Sequence, residues 1–167
     1  MTQPLTPVIA AIDAALAWLP PAMTSPEARV MLVAISLQED PEQLRAQRVI
    51  VAGRARKGPA RGLWQFESGG GVDGVLTHAA SRFWARKACE WRGVEARSAA
   101  VWRALETDDV LASIFARLLL FTDPRPLPAV EDERGAWAYY IRNWRPGKPH
   151  PKKWPANHAR AREAVGA

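Results

Sequence analysis

Apolar side chains recur along this chain mainly at helical rather than strand spacing. The run Val8–Leu19 is apolar apart from Asp13, and Thr6–Pro7 ahead of it offers an N-cap hydroxyl and a proline suited to the first helical turn. Pro20–Pro21 ends that element. Ser25–Pro26–Glu27 opens a second helix carrying Val30, Leu32, Val33, Ile35 and Leu37, which stops before Pro41. Its apolar residues surround most of the circumference, so a central, buried helix is predicted.

Residues 41–61 are predicted as part helix, part loop, because Gly53, Gly58 and Pro59 interrupt any long element. Residues 62–67 form a short extended or turn segment, and Ser68-Gly69-Gly70-Gly71 after it reads as a loop. Asp73 is placed to cap a short helix through Val75 and Leu76, and Ser81 another through Phe83, Trp84 and Trp91 that Gly93 stops. A further helix carries Val101, Trp102 and Leu105. Thr107-Asp108-Asp109 puts a hydroxyl and two acids at the start of the strongly apolar Val110–Phe121, a second core helix.

Asp123-Pro124-Arg125-Pro126-Leu127-Pro128 forbids helix and predicts a stiff, extended connector. A helix from about Glu131 to Trp144 follows and ends at Pro146–Gly147. Lys148 to Pro155 is basic and proline-rich, with a last short helix beginning near Asn157. No repeat is found, and beyond residues 62–67 no stretch alternates with period two. The expected fold is mainly α, a single domain over residues 1–167, with its motif-bearing part at about 25–147 and a basic proline-rich segment at 148–167.

Composition narrows the function. A chain of 167 residues with 48% hydrophobic and 24% charged residues is globular rather than disordered. The single cysteine, Cys89, excludes an intramolecular disulfide and a cysteine zinc cage, and its aromatic setting suggests a buried, inert thiol. His78, His150 and His158 are too far apart in sequence for a metal motif, so neither metal nor cofactor is expected. The N-terminal apolar run lacks a preceding cation and the length of a span, so neither a signal peptide nor a membrane helix is expected.

The net charge of +6 points to an acidic partner. Arg45, Arg48, Arg54, Arg56, Lys57 and Arg61 face only Glu42 in residues 42–62. Residues 142–162 hold seven cations and no acid. Nucleic acid, an anionic envelope polymer and a membrane surface all fit such patches, as does plain solvation.

Three features carry candidate chemistry. Glu39 ends the apolar second helix, where the negative end of the helix dipole and a low-dielectric surround both disfavour ionisation. A general acid needs that raised pKa. Gly62-Leu63-Trp64-Gln65-Phe66 is a glycine-opened apolar turn whose one amide, on Gln65, can donate to and accept from a sugar. Tyr139-Tyr140-Ile141-Arg142-Asn143-Trp144 places Tyr140 and Asn143 three residues apart, on one helical face, among tryptophans.

Together these residues resemble the soluble lytic transglycosylase and goose-type lysozyme group of the lysozyme-like superfamily. In that group a catalytic Glu ends a buried helix, a Gly-Leu-Met-Gln-type turn follows, and a Tyr-Asn-Ala-Gly-type segment comes near the end. The matching positions are Glu39, then Gly62, Leu63, Trp64, Gln65 and Phe66, then Tyr140 and Asn143 with Pro146–Gly147. The likeness spans roughly residues 25–147. Asp40 stands where the group has Ser, and the basic 42–61 segment lengthens the step from Glu39 to Gln65. Tyr140 is not adjacent to Asn143, which leaves open whether Tyr139 or Tyr140 faces a cleft. The other common phage pattern, Glu followed nine residues later by Asp or Cys, is not met, since Arg48 holds that place.

The resemblance implies a bacteriophage-encoded enzyme, an endolysin or a virion-associated protein, cleaving the MurNAc–GlcNAc strand of peptidoglycan. It would be made in the bacterial cytoplasm and act at the wall after release or delivery in a virion. Glu39 would protonate the leaving oxygen. Hydrolysis by two carboxylates would need a partner, for which Glu67 and Asp73 are the candidates. The transglycosylase route needs only Glu39, which the resemblance favours. Two other readings remain: a non-catalytic component of a phage particle, bound to other virion proteins on the same scaffold, and, third, a nucleic-acid-binding protein using its basic patches and eight tryptophans.

Overall fold

The computed structural model describes residues 2–167. Among them are eight α-helices and one small sheet. In chain order these are α1 (Thr6–Trp18), α2 (Pro26–Glu39), β1 (Ala46–Val51), β2 (Arg54–Arg61), β3 (Phe66–Glu67), α3 (Asp73–Thr77), α4 (Arg82–Arg92), α5 (Ser98–Ala104), α6 (Asp109–Thr122), α7 (Glu133–Trp144) and α8 (Trp154–Val165). No helix among the described residues is long and apolar enough to cross a membrane.

The two strongly apolar helices sit at the centre. Val30–Leu37 of α2 is buried without a break, and in α6 Leu111–Leu118 and Leu120 are buried. Around them pack α1, which touches both, α3 and α4 against α6, and α8 against α2. Caps fix where these helices begin. Ser25 accepts from the Ala28 N–H at 3.1 Å, and Asp108 from Leu111 at 3.0 Å. Gly93, in the left-handed conformation, ends α4. Three expected caps differ, Asp73 being itself the first residue of α3. Thr6 is itself the first residue of α1 and caps nothing. Ser81 precedes α4, but its hydroxyl donates to the Val75 carbonyl at 2.7 Å and ties α4 back to α3.

Residues 41–61 correct the expectation of helix and loop. β1 and β2 form an antiparallel hairpin, with Val51 opposite Arg54 and Arg48 opposite Lys57, and β3 adds to β2 through Arg61 and Phe66. Ala52 and Gly53 both have positive φ, 51° and 74°, the two-residue turn that matches strand twist. The outer half of the hairpin has no buried face, Ile50 being 72% exposed. Nothing there selects the alternation by which strands are read from sequence. The β-branched Val49-Ile50-Val51 before Ala52-Gly53 was the available signal.

Asp40 ties the hairpin to the end of α2. Its carboxylate accepts from the Leu44 and Arg45 N–H groups at 2.9 and 2.7 Å, and Arg45 forks onto Asp109 with two 2.7 Å bonds. Asp40 is thus the joint between helix and sheet. Asp40→Ala strands two backbone donors near the core, so a loss of about 2 kcal/mol in urea unfolding is expected. A change below about 0.5 kcal/mol would show that water replaces the carboxylate.

The last helix begins three residues before the expected start near Asn157. α8 begins at Trp154, with Pro155 in its first turn. Trp154, His158 and Ala161 are buried, and α8 packs along α2.

Candidate active site

Glu39 is the last residue of α2 and is partly buried. Tyr140 on α7 donates its hydroxyl to Glu39 Oε1 at 2.5 Å. Burial lifts the Glu39 carboxyl from its ordinary 4.5 to about 7, and the Tyr140 hydrogen bond holds it back from rising further. Burial and the neighbouring Glu39 push the Tyr140 phenol far above its usual value, so Tyr140 remains the donor. At Asp40 burial also raises the carboxyl, against hydrogen bonds from Arg45 and Leu44.

Tyr140 is held by aromatic packing. Its ring stacks on Trp154 of α8 with centroids 5.2 Å apart and planes 5° from parallel. Trp137 lies 5.4 Å from Tyr140 and 5.5 Å from Trp154. The start of α8 is latched beside Glu39 by the neighbouring Gln38, whose Oε1 accepts from Asn157 at 2.8 Å and whose Nε2 donates to the His150 carbonyl at 3.1 Å. Trp154 and Gln38 were absent from the sequence reading. Gln38 meets residues 112 and 119 positions away, and Trp154 meets Tyr140 across the basic, proline-rich 145–153 segment, so no local pattern records either contact.

The Gly62–Phe66 turn joins this group through Trp144. The Trp144 indole donates to the Trp64 carbonyl at 3.1 Å, and its ring lies 6.0 Å from Phe66 and 6.3 Å from Tyr140. Gly62 is required where it stands: its φ is +79°, and a Cβ would meet the Leu105 carbonyl oxygen at 2.9 Å. Gln65 also has positive φ, and its side-chain amide donates to the Gly62 carbonyl at 2.8 Å, leaving it half-buried.

Several expected site residues lie elsewhere. Leu63 and Trp64 are wholly buried, and the Trp64 indole donates to the Leu32 carbonyl inside the core, so their side chains support the turn instead of facing a ligand. Phe66 is likewise buried. Tyr139 points away from Glu39, its hydroxyl within 3.0 and 3.1 Å of the Leu120 and Arg125 carbonyls, and burial pushes it up to about 12. Asn143 shares that side and not Tyr140's: it donates to Asp123 and to the Tyr139 carbonyl, both at 2.9 Å. Tyr139, Asn143 and Arg142 together clamp the proline connector onto α7. Of the tyrosine pair, Tyr140 is the one at Glu39.

The two candidate second carboxylates are not joined to Glu39 by any hydrogen bond among the described residues. Asp73 accepts from the Ser98 hydroxyl at 3.0 Å and caps nothing, being the first residue of α3. Glu67 lines an open groove of about 740 Å³ between the hairpin and α5, with Lys57, Arg61, Ser68, Trp102 and Arg103. Its strand neighbour Phe66 is the residue turned inward to Trp144.

A carboxyl titrating near 7, held at one oxygen, can give a proton at neutral pH and take one back. The same shift has a thermodynamic cost. Between about pH 4.5 and 7 the folded chain keeps a proton on Glu39 that the unfolded chain releases, so stability falls as pH rises through that window. Relative to Glu39→Gln, wild type should lose about 3 kcal/mol between pH 4.5 and pH 8 in urea titrations. Asp40 titrates in the same direction but in both proteins, so the difference isolates Glu39. Parallel curves for the two proteins would mean that Glu39 titrates as an exposed acid. No family model, curated protein or solved structure matches the chain.

Proposed function

We propose that the chain cleaves the glycan strands of peptidoglycan as a lysozyme-like enzyme of lytic transglycosylase type, with Glu39 as general acid and then base. The observation that carries this reading is the Glu39–Tyr140 pair. It is a carboxyl raised to about 7 by burial at the end of the central helix, with its second oxygen not bonded to any described residue.

In the forward step, protonated Glu39 gives its proton to the glycosidic oxygen as the C1–O4 bond breaks. The resulting carboxylate, stabilised by the Tyr140 hydroxyl, then takes the proton of the sugar's own C6 hydroxyl as O6 bonds to C1. Glu39 ends the cycle protonated and no water is consumed. This one-acid route is preferred to two-carboxylate hydrolysis because Asp40 and Asp73 are engaged in other hydrogen bonds and Glu67 lines the separate groove beside α5.

Mass spectrometry of the fragments released from purified sacculi tests this reading directly. Anhydro-ended muropeptides are expected; reducing ends would move the reaction to hydrolysis, and no fragments from walls of several chemotypes would remove the enzyme reading. A second reading, a non-catalytic component of a phage particle, draws on the same short bond, since a carboxyl closed by Tyr140 also serves as a buried structural tie.

A further inference from the structure

We propose that the aromatic face formed by the end of α1 and the outer side of α4 docks on an anionic lipid surface. The inference is independent of the chemistry at Glu39.

α4 buries Ala85, Ala88 and Cys89 against α3 and α6. Its opposite side carries Phe83, Arg86, Lys87 and Glu90, spaced as one helical face. Phe83 is 59% exposed there, and Trp91 45%. Trp18, from the end of α1, stacks on Trp91 at 5.2 Å with planes 2° apart and meets Trp84 edge-on at 5.8 Å. Phe83 adds its ring to Trp84 at 5.2 Å. The four rings surround an open depression of about 500 Å³.

Two further observations select the occupant. The indole N–H groups of Trp64, Trp102, Trp144 and Trp154 each donate to a backbone carbonyl. Trp18, Trp84 and Trp91, like Trp137 beside Tyr140, make no such bond among the described residues; Trp91 is itself exposed, and the Trp18 and Trp84 nitrogens are not buried orphans. Rings with an apolar body and an unused polar edge suit the headgroup level of a bilayer.

The charges agree. Arg82 and Arg86 form no ion pair among the described residues, Lys87 reaches Glu90 at 3.3 Å, and Arg92 pairs with Asp108 while lying 4.9 Å over the Trp91 ring. Four cations against one acid on an 11-residue helix with exposed aromatics is the composition of an interfacial helix drawn to anionic lipid. A sugar ligand fits less well, because a pyranose stacks on an open ring face and here Trp18 and Trp91 cover one another.

The test is co-sedimentation of the full chain carrying Glu39→Gln with vesicles of phosphatidylcholine alone or with about 30 mol% phosphatidylglycerol. Binding to the anionic vesicles with a blue-shifted tryptophan emission is expected, and little binding to the neutral ones. Arg82→Gln with Arg86→Gln should weaken it about 25-fold, roughly fivefold per cation. Phe83→Ser should weaken it with an unchanged melting temperature, since Phe83 is exposed. The hairpin pair Arg54→Gln with Arg56→Gln, equal in charge, should weaken it less. Equal losses from the two pairs would overturn the proposal in favour of diffuse charge. Absence of vesicle binding, with self-association lost in Phe83→Ser, would overturn it in favour of a protein partner.

Discussion

Glu39→Gln is expected to slow solubilisation of purified peptidoglycan by about 10²–10⁴-fold at neutral pH, the usual contribution of a positioned proton donor. The substitution keeps shape and an acceptor for the Tyr140 hydroxyl, so it removes the proton and little else. Wild-type activity should fall above about pH 7 as the carboxyl ionises. Tyr140→Phe supplies the cross-check. The Tyr140 bond holds the Glu39 value down, so its loss should move that upper limb to higher pH, whatever it does to the rate. Near-wild-type lysis by Glu39→Gln would sink the catalytic assignment.

The largest stability effect is expected from Trp154→Ala. Trp154 is 1% exposed, stacks on Tyr140, contacts Trp137 and donates its indole N–H to the Glu133 carbonyl at 3.1 Å. Truncation empties that volume between α2, α7 and α8 and should cost about 3–5 kcal/mol in urea unfolding, a large share of a domain's total stability. Trp154→Phe keeps a ring against Tyr140 and should recover much of the loss. If Trp154→Ala costs less than about 1 kcal/mol, α8 is a surface addition and the aromatic stack does not position Tyr140.

The helical elements were legible from apolar spacing and from several local signals, though the caps expected at Thr6, Asp73 and Ser81 do not form. Ser25–Pro26 and Thr107-Asp108 marked helix starts, Gly93 and Pro41 marked ends, and the apolar circumference of residues 30–37 announced a central helix. The hairpin was not legible, because Arg48, Arg54 and Arg56 lie on a part of the sheet that buries neither face and so shows no alternation. At the candidate site, Glu39 could be named from sequence and Tyr140 only as one of the pair Tyr139 and Tyr140, and Asn143 could not be separated from them. The spacing of three residues allows a shared face, yet the pull of Asp123 on the Asn143 amide belongs to the proline connector, which only tertiary contacts reveal. Leu63, Trp64 and Phe66 show the same limit: an apolar turn reads alike whether its rings face a ligand or the interior.

The latch between Gln38 and Asn157 spans 119 residues of chain. At about 5–20 residues per second, ribosomal synthesis separates the emergence of its two halves by roughly 6–24 s. Through most of that interval α2 is complete while Tyr140 and its Trp154 support have yet to be made. The carboxyl at the end of α2 therefore waits for its partner while about a hundred further residues are added, and the centre stays unassembled through that interval.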